Sequence, residues 1–289
     1  MTQYLDATND VSFKKIFGDK ARLQKLLNSI MRLPEELQIK DLEYIPTEQI
    51  PDLGQLKRSI VDIKCTDVQG NTYIVEMQNG YADHMLKRVQ LYGSRAVANQ
   101  VKRGRTYADI APVILVIILH DYKPLDDEEL DVITFHRTVE VNTGKCYLKD
   151  LSYVFVELDR FNKGENELET FEDQWLYFLA NSETIQNPPA NLKDEDILSA
   201  YEAINQFNWS EKELELYEKA KLAADTEMLN RKHYTAQGEA KGREEGKAEG
   251  REEEKIEVAK EMLSDGVPID KIAKFTKLSL AKIRQLQGE

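Results

Sequence analysis

The run of residues 111–119, Ala-Pro-Val-Ile-Leu-Val-Ile-Ile-Leu, constrains the fold of this chain more than any other feature. It is apolar at odd and even positions alike, so a strand built from it needs cover on both faces. A helix-forming segment, 81–103, precedes it, and a helix between two strands is the usual crossover of parallel pairing. Further strand patterns follow at 131–141 and 153–158. The sequence therefore predicts an α/β fold, a mixed sheet with helices on its faces.

Two β-rich segments before this run, residues 57–66 and 72–78, each carry an acid where a strand usually buries an apolar side chain. Because strand side chains alternate between faces, Asp62 is expected to point away from Val61, Ile63 and Cys65. The same alternation places Glu76 on one face with Ile74 and Gln78.

A turn around residues 69–70 would bring the two acids together. Thr66 then pairs with Thr72, and Asp62 lies opposite Glu76 with Cβ atoms about 4.5–5.5 Å apart. Two carboxylates so close repel each other unless a cation neutralises them, and divalent ions such as Mg²⁺ take oxygen ligands. An acidic pair facing solvent on an edge hairpin is the alternative. The apolar neighbours of Glu76 favour a functional site.

The amino-terminal segment, residues 6–31, has apolar side chains at three- and four-residue spacing, which predicts an amphipathic helix. Gly18 indicates a break within it, and residues 39–45 predict a first strand. Asp10 stands where the helix begins. An acid in this place is most often a cap or a partner of the helix dipole, and a role in the site is the alternative.

Residues 81–103 predict a second helix with a basic face. Arg88, Tyr92 and Arg95 are four and three residues apart, so they share one side of that helix. Basic side chains with an aromatic between them suit a nucleic-acid backbone. A solvated helix face with Tyr92 half-buried explains the same pattern.

The second half of the chain is predicted to be helical. The net charge is -13, and the acidic excess is concentrated in residues 161–236. Glycine recurs at every fourth position within 237–255, which predicts a charged, partly helical linker because an interior glycine costs about 1 kcal/mol relative to alanine. Residues 256–289 predict three short helices, and their outward basic side chains are Lys274, Lys277, Lys282 and Arg284. This tail indicates either a helix-turn-helix or a dimerisation element.

Nothing in the sequence predicts export. Cys65 and Cys146 are the two cysteines, and they provide neither a disulfide framework nor a zinc-binding spacing. The amino-terminal residues have no basic region followed by an apolar run, so no signal peptide is expected. The run 111–119 is too short to span a membrane. We expect a cytoplasmic protein without a membrane partner.

The pattern of Asp62, thirteen residues, and Glu76-x-Gln78 across a hairpin resembles the motif of the PD-(D/E)xK nuclease superfamily, which ends in lysine. Two stretches make the resemblance more specific to one family within this superfamily. They are residues 9–18 (Asn-Asp-Val-Ser-Phe-Lys-Lys-Ile-Phe-Gly) and residues 74–78 (Ile-Val-Glu-Met-Gln). With the basic helix and the glycine-rich tail, the chain resembles the Rpn-type recombination-promoting nucleases, also called PD-(D/E)xK family transposases. The resemblance implies a restriction-endonuclease-like core in residues 1–160, followed by an α-helical region.

The resemblance implies a DNA endonuclease of low sequence specificity that depends on Mg²⁺ or Mn²⁺ and is linked to DNA recombination or to mobile-element or defence processes. Asp62, Glu76 and the backbone carbonyl of Met77 would hold the metal. Gln78, in the place of the lysine, would orient the attacking water, and Asp10 would lie near the metal. The implied DNA contacts are Lys14, Lys57, Arg58, Arg88, Tyr92 and Arg95.

Two further expectations complete the prediction. The missing lysine raises the alternative of a catalytically weakened DNA-binding or assembly protein on the same fold. The helical region after residue 160 is expected to form a homodimer.

Overall fold

A mixed six-stranded sheet lies at the centre of Met1–Asp225, the first of two units into which the chain divides. The computed structural model describes residues 3–49, 59–101, 106–192 and 194–287. From edge to edge, the strands are β1 (Leu42–Tyr44), β4 (Ile63–Asp67), β5 (Thr72–Asn79), β6 (Val113–His120), β8 (Leu148–Glu157) and β7 (Ile133–Thr138). Two short strands, β2 (Glu48–Gln49) and β3 (Ser59–Ile60), pair separately.

The three central strands run parallel. β6 pairs with β5 on one side and with β8 on the other, and the outer pairs are antiparallel. All of β6 is buried except Ile114 and His120, which are half-buried. The predicted central strand with cover on both faces is confirmed.

Helices cover both faces of the sheet. One face packs against α1 (Asp10–Phe17), α2 (Lys20–Ile30), α4 (Phe171–Asn181) and α5 (Glu195–Ala203), with a core that includes Phe17, Trp175 and Val116. The other face packs against α3 (Met85–Ala98), whose Met85 and Val89 lie against Ile74 and Leu115. The predicted α/β class, a mixed sheet flanked by helices, is confirmed.

The amino-terminal segment forms two helices that are separated at the predicted break, Gly18, although the first helix begins at Asp10 rather than at residue 6. Asn9 caps α1 by accepting from the Val11 N–H. Gly18 ends α1, where an added Cβ would lie 2.8 Å from the Lys14 carbonyl oxygen. Asp19 then caps α2 through its side chain. The first strand is also shorter than predicted, because only Leu42–Tyr44 pairs with β4.

The longest helix, α6 (Glu211–Ser264), begins in the first unit and ends in the second, Thr226–Glu289. It includes all of residues 237–255, so the expectation of a partly helical linker there is wrong. Glutamate, lysine, arginine and alanine favour helix strongly enough to offset the glycines, and pairs such as Lys241–Glu245 (3.6 Å) add support. Neither α6 nor any other described helix is long and apolar enough to cross a membrane.

The second unit has a small core of its own. The end of α6 packs with α7 (Ile269–Thr276) and α8 (Leu280–Gln287) around Ala259, Ile272, Leu278 and Ile283. The three predicted carboxy-terminal helices are present, the first of them as the last turns of α6. The division of the chain into four segments at 160, 236 and 255 stays a prediction.

Candidate active site

The backbone bends at Asp62, one residue before β4 begins. The hairpin of β4 and β5 has the predicted register, in which Ile63 pairs with Val75. Because of the bend, Val61 packs on the α3 side of the sheet, whereas Ile63 and Cys65 pack on the α1 side. The expectation that these three apolar residues share a face is therefore wrong, since strand alternation does not continue through a bend.

Asp62 and Glu76 lie next to each other at this bend. The Met77 N–H donates to Asp62 Oδ2 at 2.8 Å, and the Asp62 N–H donates to Glu76 Oε2 at 3.4 Å. Glu76 is 7% exposed and lies on the α3 side of the sheet, as Ile74 does. The backbone of each segment thus binds the acid of the other, which fixes the two carboxylates side by side.

The pKa values of both carboxyl groups are raised in this place. Burial, followed by the negative charge of Asp62, raises the pKa of Glu76 from 4.5 to about 8. Burial also raises the pKa of Asp62, although the Met77 N–H and the charge of Lys14 oppose that effect. A pair of adjacent carboxyl groups with raised pKa values is an environment that a bound cation would relieve.

Two cationic side chains reach this pair from opposite faces of the sheet. Lys14, on α1, has its Nζ 3.6 Å from Asp62 Oδ1. Arg88, on α3, has its Nη2 3.7 Å from Glu76 Oε1. Both side chains are 40% or more exposed, so each can contact a ligand without leaving its helix.

Asp10 is connected to the Asp62 and Glu76 pair by Lys14. Its Oδ1 is 2.6 Å from Lys14 Nζ, which is the ammonium group that approaches Asp62. The capping interpretation of Asp10 is wrong, because Asn9 caps the helix. Asp10 occupies the first turn, where a negative charge also favours the helix dipole. A direct role of Asp10 at a metal stays a prediction.

Tyr92 supports Arg88. It is 8% exposed, and its hydroxyl accepts from Arg88 Nε at 3.3 Å and from Nη2 at 3.1 Å. A direct contact of its ring with DNA would need exposed surface that it lacks. Arg95 is half-buried two turns after Arg88 on the same helix. Lys57 and Arg58, both predicted DNA contacts, lie outside the described residues.

Gln78 follows Glu76 on the same face of β5, in the place of the lysine in the motif. Its Nε2 donates to the carbonyl oxygens of Asn79 at 3.3 Å and Gly80 at 3.2 Å. The amide is therefore directed at the backbone where β5 ends. It supplies no positive charge.

A polar network that the sequence does not predict lies at the carboxyl ends of β5 and β6. Asn79 Nδ2 donates to Thr8 Oγ1 at 2.7 Å, and Thr8 Oγ1 donates to Asp6 Oδ1 at 2.6 Å. His120 Nδ1 lies 3.3 Å from the same hydroxyl, and Asn79 and His120 are partners in the parallel register. Only that register, which the sequence does not specify, would have pointed to His120.

Among the residues that the structure describes, two groups of side chains could hold a divalent metal. Asp62 offers a half-buried carboxylate and Glu76 a buried one, and the Met77 carbonyl as a third ligand stays a prediction. His120, Asp121 and Asp159 offer ligand atoms within 4.8 Å of one another, although both aspartates are exposed. Asp159 already accepts from the backbone N–H groups of Asp121 and Tyr122. The first pair fits a hard cation better, because its carboxylates are less exposed and the charge of Asp62 already raises the pKa of Glu76.

Comparison with known proteins gives a family for most of the chain. The family model described as PD-(D/E)XK nuclease family transposase matches residues 7–232. That range includes the hairpin, both flanking helices and Gln78. The comparison with curated proteins and the comparison with solved structures each gave no match.

Proposed function

Because the chain belongs to the PD-(D/E)XK nuclease family transposases, we propose that it hydrolyses phosphodiester bonds of DNA at Asp62 and Glu76. The proposed cofactor is Mg²⁺ or Mn²⁺. The observation that carries the proposal is the pairing of the half-buried Asp62 carboxylate with the buried Glu76 carboxylate, whose pKa is raised to about 8. The ionised form of such a pair is disfavoured, and a divalent cation bound there would stabilise it.

The chemistry divides between the metal and the side chains around it. Mg²⁺ held by Asp62 and Glu76 would polarise the scissile phosphate and lower the pKa of an attacking water. The Met77 N–H keeps the Asp62 carboxylate in one orientation by its 2.8 Å bond. Lys14 and Arg88, on either side, bind the non-bridging phosphate oxygens and oppose the negative charge that builds up during the reaction.

Lys14 supplies the positive charge that Gln78 lacks. The Gln78 amide is neutral and donates to backbone carbonyl groups. The Lys14 ammonium lies 3.6 Å from Asp62 and is held from its other side by Asp10. A lysine that approaches the Asp62 and Glu76 carboxylates from α1 can serve the electrostatic role that the motif gives to a lysine on the strand.

The proposed DNA contacts are charged and directed at phosphates. Arg88 and Arg95 follow one side of α3, and Lys57 and Arg58 precede the hairpin in sequence. Contacts to phosphates position a duplex without reading its bases, so we propose cleavage of low sequence specificity. The description of the family as transposases supports a role in DNA recombination.

Cleavage of supercoiled plasmid in Mg²⁺ tests this function. Asp62→Ala and Glu76→Ala should each slow nicking by about a hundredfold or more, because each removes a metal ligand. Asp159→Ala is the matched control, since it removes a carboxylate from the other candidate metal group. If the Asp62 variant cuts as fast as the wild type, the site is wrong.

A DNA-binding or assembly protein without catalytic activity is the second candidate function. The observation that favours it is Gln78, whose neutral amide is directed at its own backbone. This alternative predicts DNA binding that is independent of metal, with no cleavage in Mg²⁺ or Mn²⁺. The same plasmid assay distinguishes the two.

A further inference from the structure

The carboxy-terminal helices form a structure that the proposed nuclease does not use. They lie beyond residue 232, where the family match ends. α7 and α8 each have eight residues, and three residues, 277–279, connect them. Two short helices joined by a turn of this length are the arrangement of a helix-turn-helix.

The turn between α7 and α8 is well defined. Lys277 has a positive φ of 60°, which ends α7 in the left-handed conformation. Leu278 points inward and is 6% exposed. The Ser279 hydroxyl then accepts from the Lys282 N–H at 3.2 Å, which caps α8. Each residue of the turn thus contributes to the angle between the two helices.

One side of α8 is fixed by the core, so the other side is presented to solvent. Ile283 on α8 is fully buried against Ile272 of α7 and Ala259 of α6. The outer side of α8 and its cap consists of exposed residues, namely Ser279, Leu280, Ala281, Arg284 and Gln285. A short helix held in this way offers a surface of fixed orientation.

The charge of this surface is opposite to that of the whole chain. Residues 265–287 contain five basic side chains (Lys271, Lys274, Lys277, Lys282 and Arg284) and two acidic ones (Asp265 and Asp270), a net charge of 5 − 2 = +3. The whole chain has a net charge of -13. Three of the lysines, on α7 and the turn, are exposed. A local basic surface on an acidic protein attracts a polyanion to that surface alone.

We propose that this three-helix unit binds duplex DNA in a sequence-dependent manner, with α8 in the major groove. The groove is wide enough for an α-helix, and the first helix of such a motif crosses the backbone. The Arg284 guanidinium can donate two hydrogen bonds to the O6 and N7 acceptors of guanine. The Gln285 amide can form two hydrogen bonds with adenine. Lys271, Lys274 and Lys277 contact phosphates. This adds target selection to a nuclease domain whose own contacts are directed at phosphates.

Duplex DNA fits this surface better than a second copy of the chain does. Phe275 is 72% exposed and Leu280 is 42% exposed, so these two side chains could form an apolar contact between two copies of the chain. However, a symmetric dimer would place the same basic surface on both sides of the interface, where like charges repel. DNA brings the complementary charge.

Selection from random duplexes by the full-length chain tests the proposal. In EDTA no metal-dependent cut occurs, so binding is measured independently of the proposed nuclease. The wild type should enrich a short common sequence. Replacing Arg284 and Gln285 together by alanine should weaken binding to that sequence about tenfold or more, with a much smaller change for a scrambled duplex.

Two control variants separate base reading from charge. Lys274→Ala should weaken binding to both duplexes by a similar factor, as the loss of a phosphate contact does. Arg251→Ala removes an exposed charge from α6 and should leave the preference unchanged. The proposal is overturned if no sequence is enriched or if the double variant keeps the wild-type preference. It is equally overturned if the double variant changes only the mass measured by light scattering.

Discussion

Replacing Glu76 by glutamine should remove a pH dependence of stability from the metal-free protein. The folded-state pKa of Glu76 is about 8 and its ordinary value is 4.5, because burial and the charge of Asp62 disfavour the carboxylate. The folded chain therefore keeps a proton that the unfolded chain has released. This contribution to stability is fully present below pH 4.5 and is lost as the pH rises through about 8.

The size of the effect follows from the two pKa values. Between them the wild type loses up to about 1.4 kcal/mol of unfolding free energy per pH unit, which reaches about 4 kcal/mol at pH 8. Glutamine has nearly the same shape and no charge, so the variant escapes this loss. At pH 8 it should be the more stable protein, by roughly 10 °C in melting temperature for a unit of this size.

Urea unfolding in EDTA at pH 5, 6, 7 and 8 measures this effect. The two proteins should have similar stability at pH 5 and diverge steadily as the pH rises. Glu128→Gln is the matched control, because Glu128 is exposed and its variant should follow the wild type. Parallel curves for the wild type and the Glu76 variant would refute the reasoning. Mg²⁺ added at pH 8 should stabilise the wild type more than the variant.

Three other substitutions have defined outcomes. Lys14→Ala should slow plasmid cleavage roughly tenfold to a hundredfold, while Lys15→Ala, on the same helix, should not; equal losses would contradict the special role of Lys14. Gln78→Lys should restore part of the cleavage lost in the Lys14→Ala protein, and a double variant as slow as the single one would contradict the shared electrostatic role. Tyr92→Phe should weaken DNA binding in Ca²⁺ less than Arg88→Ala does, because it only frees the guanidinium; fluorescence anisotropy measures both.

The parts of the fold that the sequence predicts are those that local rules determine. The run 111–119 is apolar on both faces, which predicts a central strand that is covered on both sides. The turn at Gly70, with its positive φ of 85°, sets the hairpin register of β4 and β5. From that register, the closeness of Asp62 and Glu76 follows directly.

The parts that the sequence does not predict depend on contacts between distant segments. The bend at Asp62 moves Val61 to the other face, and no alternation rule indicates it. Lys14 approaches Asp62 only because α1 packs on the sheet, which spacing along the chain cannot show. The continuous helix through the glycine repeat reflects many small propensities that together outweigh the cost of the glycines.

Binding of a divalent ion to the DNA-free protein tests the central claim most directly. Titration calorimetry with Mn²⁺ should give one site per chain in the wild type. That site should be lost in Asp62→Asn, which keeps the shape of the side chain and removes its charge. It should persist in Asp159→Asn, which alters the other candidate metal group. Wild-type binding by the Asp62 variant would contradict the account.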